Sequence, residues 1–122
     1  MYRFYNPNPR GKRVGDCVVR ALCKALDKDW ETTATGLFVQ SLRDGDMPSA
    51  DAVWGAYLKS EGWQRRVCED ACSVAAFADS KPEGKYVLAL GGHVVCVENG
   101  DWFDTWDSGD RAPIYYYERM DY

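Results

Sequence analysis

The chain has 122 residues and a formal net charge of −4 at pH 7. This length supports one domain with its own core, and the five tryptophans and eight tyrosines argue against intrinsic disorder. The acidic balance argues against general nucleic-acid binding, which needs a basic surface. We find neither the apolar core of a signal peptide nor a membrane-spanning run, so we expect a cytoplasmic protein with no membrane partner.

The first predicted element is an amphipathic helix that begins at Cys17. Apolar residues recur at helical spacing along it, namely Val18, Ala21, Leu22, Ala25 and Leu26. Its basic residues are expected to face water, namely Arg20, Lys24 and Lys28. Asp16 is a suitable N-cap, so Cys17 lies in the first turn, where free N–H groups and the helix dipole favour a thiolate. A free cysteine in this place is also an ordinary small core residue.

The middle of the chain is predicted to be scaffold. Asp29 caps a second helix from Trp30 to about Arg43, and Ser49 caps a third that ends before Gly62. The residues expected to be buried on the second helix are Trp30, Ala34, Leu37, Phe38 and Leu42. A short strand (63–67) and a short helix (73–79) follow.

Cysteines do not suggest a metal site. Cys68 and Cys72 form a Cys-x-x-x-Cys pair, but a structural zinc ion needs four ligands. Cys23 and Cys96 lie on elements predicted to face the core. We therefore expect no metal and no other cofactor, and a disulfide between Cys68 and Cys72 is equally unsupported in a reducing compartment.

A β-hairpin around Asn99-Gly100 is the strongest local signal, because Asn-Gly between two β-rich runs is typical of a two-residue turn. That turn puts Asp104 diagonal to His93 on one face of the hairpin. A three-residue turn would shift the register by one residue and bring Asp107 to His93 instead. We favour Asp104.

His93, the only histidine, follows Gly91-Gly92, which clears space beside it. A carboxylate from the hairpin would accept from one ring nitrogen and leave the other nitrogen for a thiol. The alternative is a structural histidine at a strand end. A thiol at a helix N-terminus and an imidazole from a distant strand are the parts from which cysteine hydrolases build a nucleophile and its base.

Helices first and strands afterwards predict an α+β domain. The order of Cys17, Gly92-His93-Val94-Val95, the Asn-Gly hairpin and Phe103-Asp104 resembles the papain-like cysteine peptidase superfamily. The stretch 15–21 (GDCVVRA) also resembles small peptidase-like proteins of phages and mobile elements. The resemblance implies one papain-like domain over residues 1–122, with N-terminal helices packed on a C-terminal antiparallel sheet. It implies Cys17 as nucleophile, His93 as base and Asp104 as orienting acid, with a peptide or protein substrate.

One position departs from that superfamily. A glutamine usually precedes the cysteine by about a turn and a half and donates to the oxyanion, but Gly11 holds this place. Asn6 or Asn8 is then the expected side-chain donor, beside the backbone N–H of Cys17.

The expected function is a thiol-dependent hydrolase or acyl transferase acting on a peptide or isopeptide bond. The alternative is a non-catalytic papain-like binding module of a phage or mobile element that blocks a host protein. A structural domain of a larger assembly is a third possibility. The basic loop residues Arg10, Lys12 and Arg13 either recognise an acidic substrate or are simply solvated.

Overall fold

The computed structural model describes residues 1–68 and 73–120. In chain order, its elements are β1 (Tyr2–Phe4), α1 (Cys17–Leu26), α2 (Trp30–Asp44), α3 (Asp51–Ser60), β2 (Trp63–Val67), α4 (Val74–Ser80), β3 (Lys85–Leu90), β4 (His93–Glu98), β5 (Asp101–Asp104) and β6 (Tyr115–Arg119). The α+β class is confirmed. None of the helices in the described ranges combines the length and the apolar character needed to cross a membrane.

The strands form one mixed sheet in the order β1-β5-β4-β3-β6-β2. All neighbours are antiparallel except β1 and β5, which are parallel. The prediction of a purely antiparallel, C-terminal sheet was therefore wrong, because the N-terminal strand β1 forms one edge and pairs in parallel with β5. Strand β1 has only three residues, too few for alternation to be detected in the sequence.

The sheet separates two hydrophobic cores. Helices α1, α2 and α3 lie on one side of the sheet, and α4 lies on the other. Alternate residues of β3 and β4 point to each core: Val87, Ala89, Val94 and Cys96 to the first, and Leu88, Leu90, Val95 and Val97 to the second. Because both faces are buried, these two strands are continuously apolar.

Helix α2 begins where predicted but buries a narrower face. The Asp29 carboxylate accepts a hydrogen bond from the Thr32 N–H at 2.7 Å. Leu37 is buried, whereas Phe38 and Leu42 are 57% and 69% exposed, so placing those two in the core was wrong. The reason is that α2 packs on α1 and α3 rather than on the sheet, and only one stripe is covered: Thr33, Leu37 and Ser41.

Helix α3 begins one residue later than a cap at Ser49 predicts. Ala50 occupies the N-cap position and provides no side-chain capping bond. The large side chains on the buried face of α3 are Val53, Trp54, Tyr57 and Leu58.

The β4–β5 hairpin has the two-residue register. Glu98 pairs with Asp101 and Cys96 with Phe103. The turn residues Asn99 and Gly100 both have positive φ, 50° and 83°, as a type I′ turn requires. The end of β5 therefore lies beside the start of β4.

Candidate active site

Three element ends meet at one end of the sheet and carry the three predicted site residues. Cys17 is the first residue of α1, His93 the first of β4 and Asp104 the last of β5. Antiparallel pairing brings the start of β4 to the end of β5, and α1 packs along β4. The structure thus brings together residues that lie far apart in the sequence.

His93 and Asp104 form a short, buried hydrogen bond. Nε2 of His93 lies 2.6 Å from Oδ2 of Asp104, and the two side chains are 9% and 1% exposed. The Trp106 indole lies against the imidazole with ring centroids 4.7 Å apart. Burial strengthens such a charge-assisted bond. Since Asp104 occupies Nε2, Nδ1 is the ring nitrogen left for Cys17.

The Cys17 sulfur interacts with His93 and with the backbone of β4. Burial favours the neutral thiol, but a hydrogen bond with His93, a hydrogen bond from the Val94 N–H, and the charges of His93 and Arg20 outweigh it. Together they lower the pKa of Cys17. The nucleophilic form of a thiol is the thiolate, so these contacts increase the reactivity of Cys17 at neutral pH.

His93 is shifted in the complementary direction. Burial opposes the imidazolium, yet hydrogen bonds to Asp104 and Cys17 and the charges of both groups raise the pKa of His93 to about 9. Both shifts favour a thiolate–imidazolium pair over a neutral thiol beside a neutral imidazole.

Asp104 is held by donors on both carboxylate oxygens. Oδ1 accepts from Arg20 Nη2 and from the Thr105 N–H, each at 2.8 Å, and Oδ2 accepts from His93 and from Ser108 Oγ at 3.1 Å. Burial favours the protonated acid, but the bond to His93, the Thr105 N–H and the charges of His93 and Arg20 lower the pKa of Asp104. The carboxylate is therefore charged at neutral pH and fixed in orientation.

Arg20 is a functional-site residue that sequence reasoning missed. It was expected to face water, but its side chain is 6% exposed and pairs with Asp16 at 2.5 Å and with Asp104 at 2.8 Å. Periodicity places a basic residue outside, whereas burial here depends on a carboxylate from a distant strand. The available signals were the i, i+4 pairing of Asp16 with Arg20 and the position of Arg20 one turn after Cys17.

Asp16 occupies the N-cap position of α1 but does not cap with its side chain. Its carboxylate accepts instead from Arg20 Nη1 at 2.5 Å and from Trp30 Nε1 at 2.9 Å. The prediction of a side-chain cap was therefore wrong. Because the Asp16 carboxylate makes no capping bond, it does not compete for the N–H groups around Cys17, which can face a negative charge.

The loop before α1 is folded by its own asparagines. Asn6 Nδ2 donates to the Lys12 carbonyl at 3.2 Å, and Asn8 Oδ1 accepts from the Arg10 and Lys12 N–H groups at 2.9 and 3.3 Å. Gly11 has φ 68° and donates to the Asn8 carbonyl at 3.0 Å. One N–H of the Asn6 amide is thus used within the loop, and Gly11 serves a turn.

The remaining thiols contrast with Cys17. Cys23 and Cys96 are buried free thiols, and burial raises the pKa of each. Cys72, a member of the predicted Cys68–Cys72 pair, lies outside the described residues. In residues 1–68 and 73–120, no group of three or more His, Cys, Asp and Glu side chains is arranged to hold a metal ion.

Comparisons with protein-family models, with curated proteins and with solved structures find no match for this chain. Function is therefore inferred from the geometry of the site.

Proposed function

We propose that this protein is a thiol-dependent hydrolase or acyl transferase with a papain-like arrangement, acting on a peptide or isopeptide bond. Cys17 is the nucleophile, His93 the base and Asp104 the orienting acid. One observation carries the proposal: the buried 2.6 Å bond between His93 and Asp104, with the other side of the imidazole bonded to Cys17. A nucleophile, a base bonded to it and a group that orients the base are the parts of a catalytic triad.

The first half of the reaction forms an acyl-enzyme. The Cys17 thiolate attacks the carbonyl carbon, a C–S bond forms, and the carbonyl electron pair moves to oxygen. The N–H groups of the first turn of α1 face that oxyanion. The C–N bond then breaks as the electron pair returns, and the imidazolium of His93 gives its proton to the departing amine.

The second half releases the acyl group. Neutral His93 removes a proton from water, or from an acceptor amine, as that group attacks the thioester carbonyl. The C–S bond breaks and Cys17 leaves as a thiolate, while His93 keeps the proton as an imidazolium. Water gives hydrolysis, and an amine gives acyl transfer. Asp104 stays charged and holds His93 in one tautomer and orientation.

A non-catalytic binding module is the second candidate. Two observations favour it: Gly11 stands where a glutamine is usual, and the Asn6 amide donates to the Lys12 carbonyl. In this case the exposed basic loop residues, rather than the thiol, would contact the partner: Arg10, Lys12 and Arg13.

Product formation tests the proposal. The purified protein is incubated with a mixture of cellular peptides and proteins, with and without hydroxylamine as an alternative acceptor. Mass spectrometry then identifies new termini or hydroxamates. We expect such products from the parent and none from Cys17→Ser or His93→Ala, with the melting temperature of Cys17→Ser close to the parent and His93→Ala still folded at the assay temperature. A binding module would give no products from the parent. The Cys17→Ser and His93→Ala variants of a binding module would keep the biological effect of the parent. A variant in which Arg10, Lys12 and Arg13 are neutralised would lose it.

A further inference from the structure

Arg20 connects the proposed site to the rest of the helical layer. Nη2 lies 2.8 Å from Oδ1 of Asp104, and Nη1 lies 2.5 Å from Oδ1 of Asp16. Asp16 in turn accepts from the indole N–H of Trp30, the first residue of α2. A continuous chain of hydrogen bonds therefore runs from α2 through α1 to the last residue of β5 and on to His93.

The guanidinium is suited to this place because its donors are fixed in one plane. Its two terminal nitrogens bind two different carboxylates, so anchoring by Asp16 fixes the direction in which the other nitrogen points. This occupies Oδ1 of Asp104 and leaves Oδ2 to His93 and Ser108. A lysine has the same charge, but its single ammonium lacks the planar fork that directs two bonds.

We propose that Arg20 is a positioning residue, which, anchored by Asp16 and Trp30, holds the Asp104 carboxylate so that Oδ2 is presented to His93. Arg20 is bonded to Asp104 rather than to the ring of His93, so its effect on the base passes through Asp104. The inference rests on the proposed function and adds a residue that the triad alone does not contain.

Two variants and one control test the role. Arg20→Met removes the charge and the fork, and Arg20→Lys keeps the charge but removes the fork. The control, Lys24→Met, removes a cation one turn later on α1, where Lys24 pairs with Glu98 at 3.2 Å. The readouts are the rate of Cys17 alkylation by iodoacetamide and the NMR titration of His93, which is unambiguous because the chain has one histidine.

In both Arg20 variants, we expect iodoacetamide to alkylate Cys17 about tenfold more slowly at pH 7. A loss of about this size is typical when a residue that hydrogen-bonds and orients a metal-binding side chain is removed. His93 should titrate at a lower pH than in the parent, because its bond to Asp104 is weakened. Lys24→Met should stay within about twofold of the parent rate. If folded Arg20→Lys keeps the parent rate and the parent titration, Arg20 contributes charge or stability only, and the inference is overturned.

Removing Arg20 leaves two buried carboxylates without their cation, so the variants can fail to fold. In that case Asp16→Asn is tested instead of the Arg20 variants, because it keeps Arg20 but weakens the bond that anchors the guanidinium. A slower alkylation and a lower His93 titration support the inference, and unchanged values overturn it. Failure of the proposed function gives a different result. Iodoacetamide would then alkylate Cys17 of the parent no faster than it alkylates glutathione, while the His93 titration would still report on the role of Arg20.

Discussion

Asp104 and Asp107 are close in sequence but bind different partners. Oδ2 of Asp104 lies 2.6 Å from Nε2 of His93, whereas Oδ1 of Asp107 accepts from Nε1 of Trp102 at 2.8 Å and from the Gly109 N–H at 2.9 Å. The two-residue turn of the hairpin sets this difference, since it fixes which residue at the end of β5 reaches the start of β4. Asp107 instead shapes the loop after β5.

The first prediction contrasts these two aspartates. Asp104→Asn should slow Cys17 alkylation at pH 7 by tenfold or more, because a neutral amide neither stabilises the imidazolium nor fixes the tautomer of the neutral imidazole. The equivalent change in a serine protease lowers kcat by about 10⁴. Asp107→Asn should change the rate by less than about twofold. Mass spectrometry of the modified peptide gives both rates, and equal effects of the two substitutions would contradict the assignment of Asp104.

The second prediction concerns selectivity among the thiols. Iodoacetamide at neutral pH should modify Cys17 before Cys23 and Cys96, because the pKa of Cys17 is lowered and the pKa values of the other two are raised by burial. Cys68 and Cys72 should also react more slowly than Cys17.

Peptide mapping over time measures that order, and His93→Ala provides the control. The variant should slow the modification of Cys17 without changing the rates at the other cysteines. Uniform labelling of all accessible thiols would mean that no thiolate is stabilised at Cys17.

The third prediction is a pH dependence of stability. Because the pKa of His93 is raised from 6.5 to about 9, the folded state binds this proton more tightly than the unfolded state. The contribution to the free energy of unfolding is complete below pH 6.5 and disappears as pH rises through about 9. The size of the pKa shift limits the contribution of His93 to the free energy of unfolding to about 3 kcal/mol at most.

Thermal melting of the parent and of His93→Gln between pH 6 and pH 10 measures the contribution of His93 to stability. The difference in melting temperature should be largest at pH 6 and should shrink towards pH 10. NMR of the single histidine should show a midpoint near 9, and a midpoint near the ordinary value of 6.5 would disprove the coupling to Asp104 and Cys17.

The fourth prediction concerns the contact between α3 and β6. A Cβ atom at Gly55 would clash with the hydroxyl of Tyr117, whose ring is buried against Trp54 with centroids 5.4 Å apart. Gly55→Ala should therefore destabilise the protein by about 1–3 kcal/mol, although alanine favours a helix over glycine by about 1 kcal/mol. Gly15→Ala is the control, since a Cβ there meets no atom within 4 Å. Urea unfolding measures both, and equal stabilities would contradict the close approach.

Local signals in the sequence were sufficient for the elements that carry the site. Asn99-Gly100 specified the turn and the register that brings Asp104 to His93, and helical spacing placed Cys17 at the start of α1. Each of these signals acts between residues close in sequence, and the tertiary structure reinforces them.

Features that depend on distant partners could not be predicted in this way. Arg20 is buried because Asp104 arrives from β5, and β1 is a strand because β5 offers it a parallel edge. Phe38 lies outside the core because α2 contacts other helices rather than the sheet. Periodicity identifies an apolar or polar face but does not identify what will cover it.

The positions of the site residues in the chain also determine when the site forms. His93 and Asp104 are 11 residues apart across a tight turn, and a hairpin of this kind forms in about 1–10 μs. Arg20 is 84 residues from Asp104, so α1 can dock only after a long loop has closed. During synthesis, Cys17 leaves the ribosome long before His93 and remains an ordinary thiol until then. Completion of folding is therefore the step that brings Cys17 to His93, and under the proposed function the nascent chain has no reactive thiolate before that step.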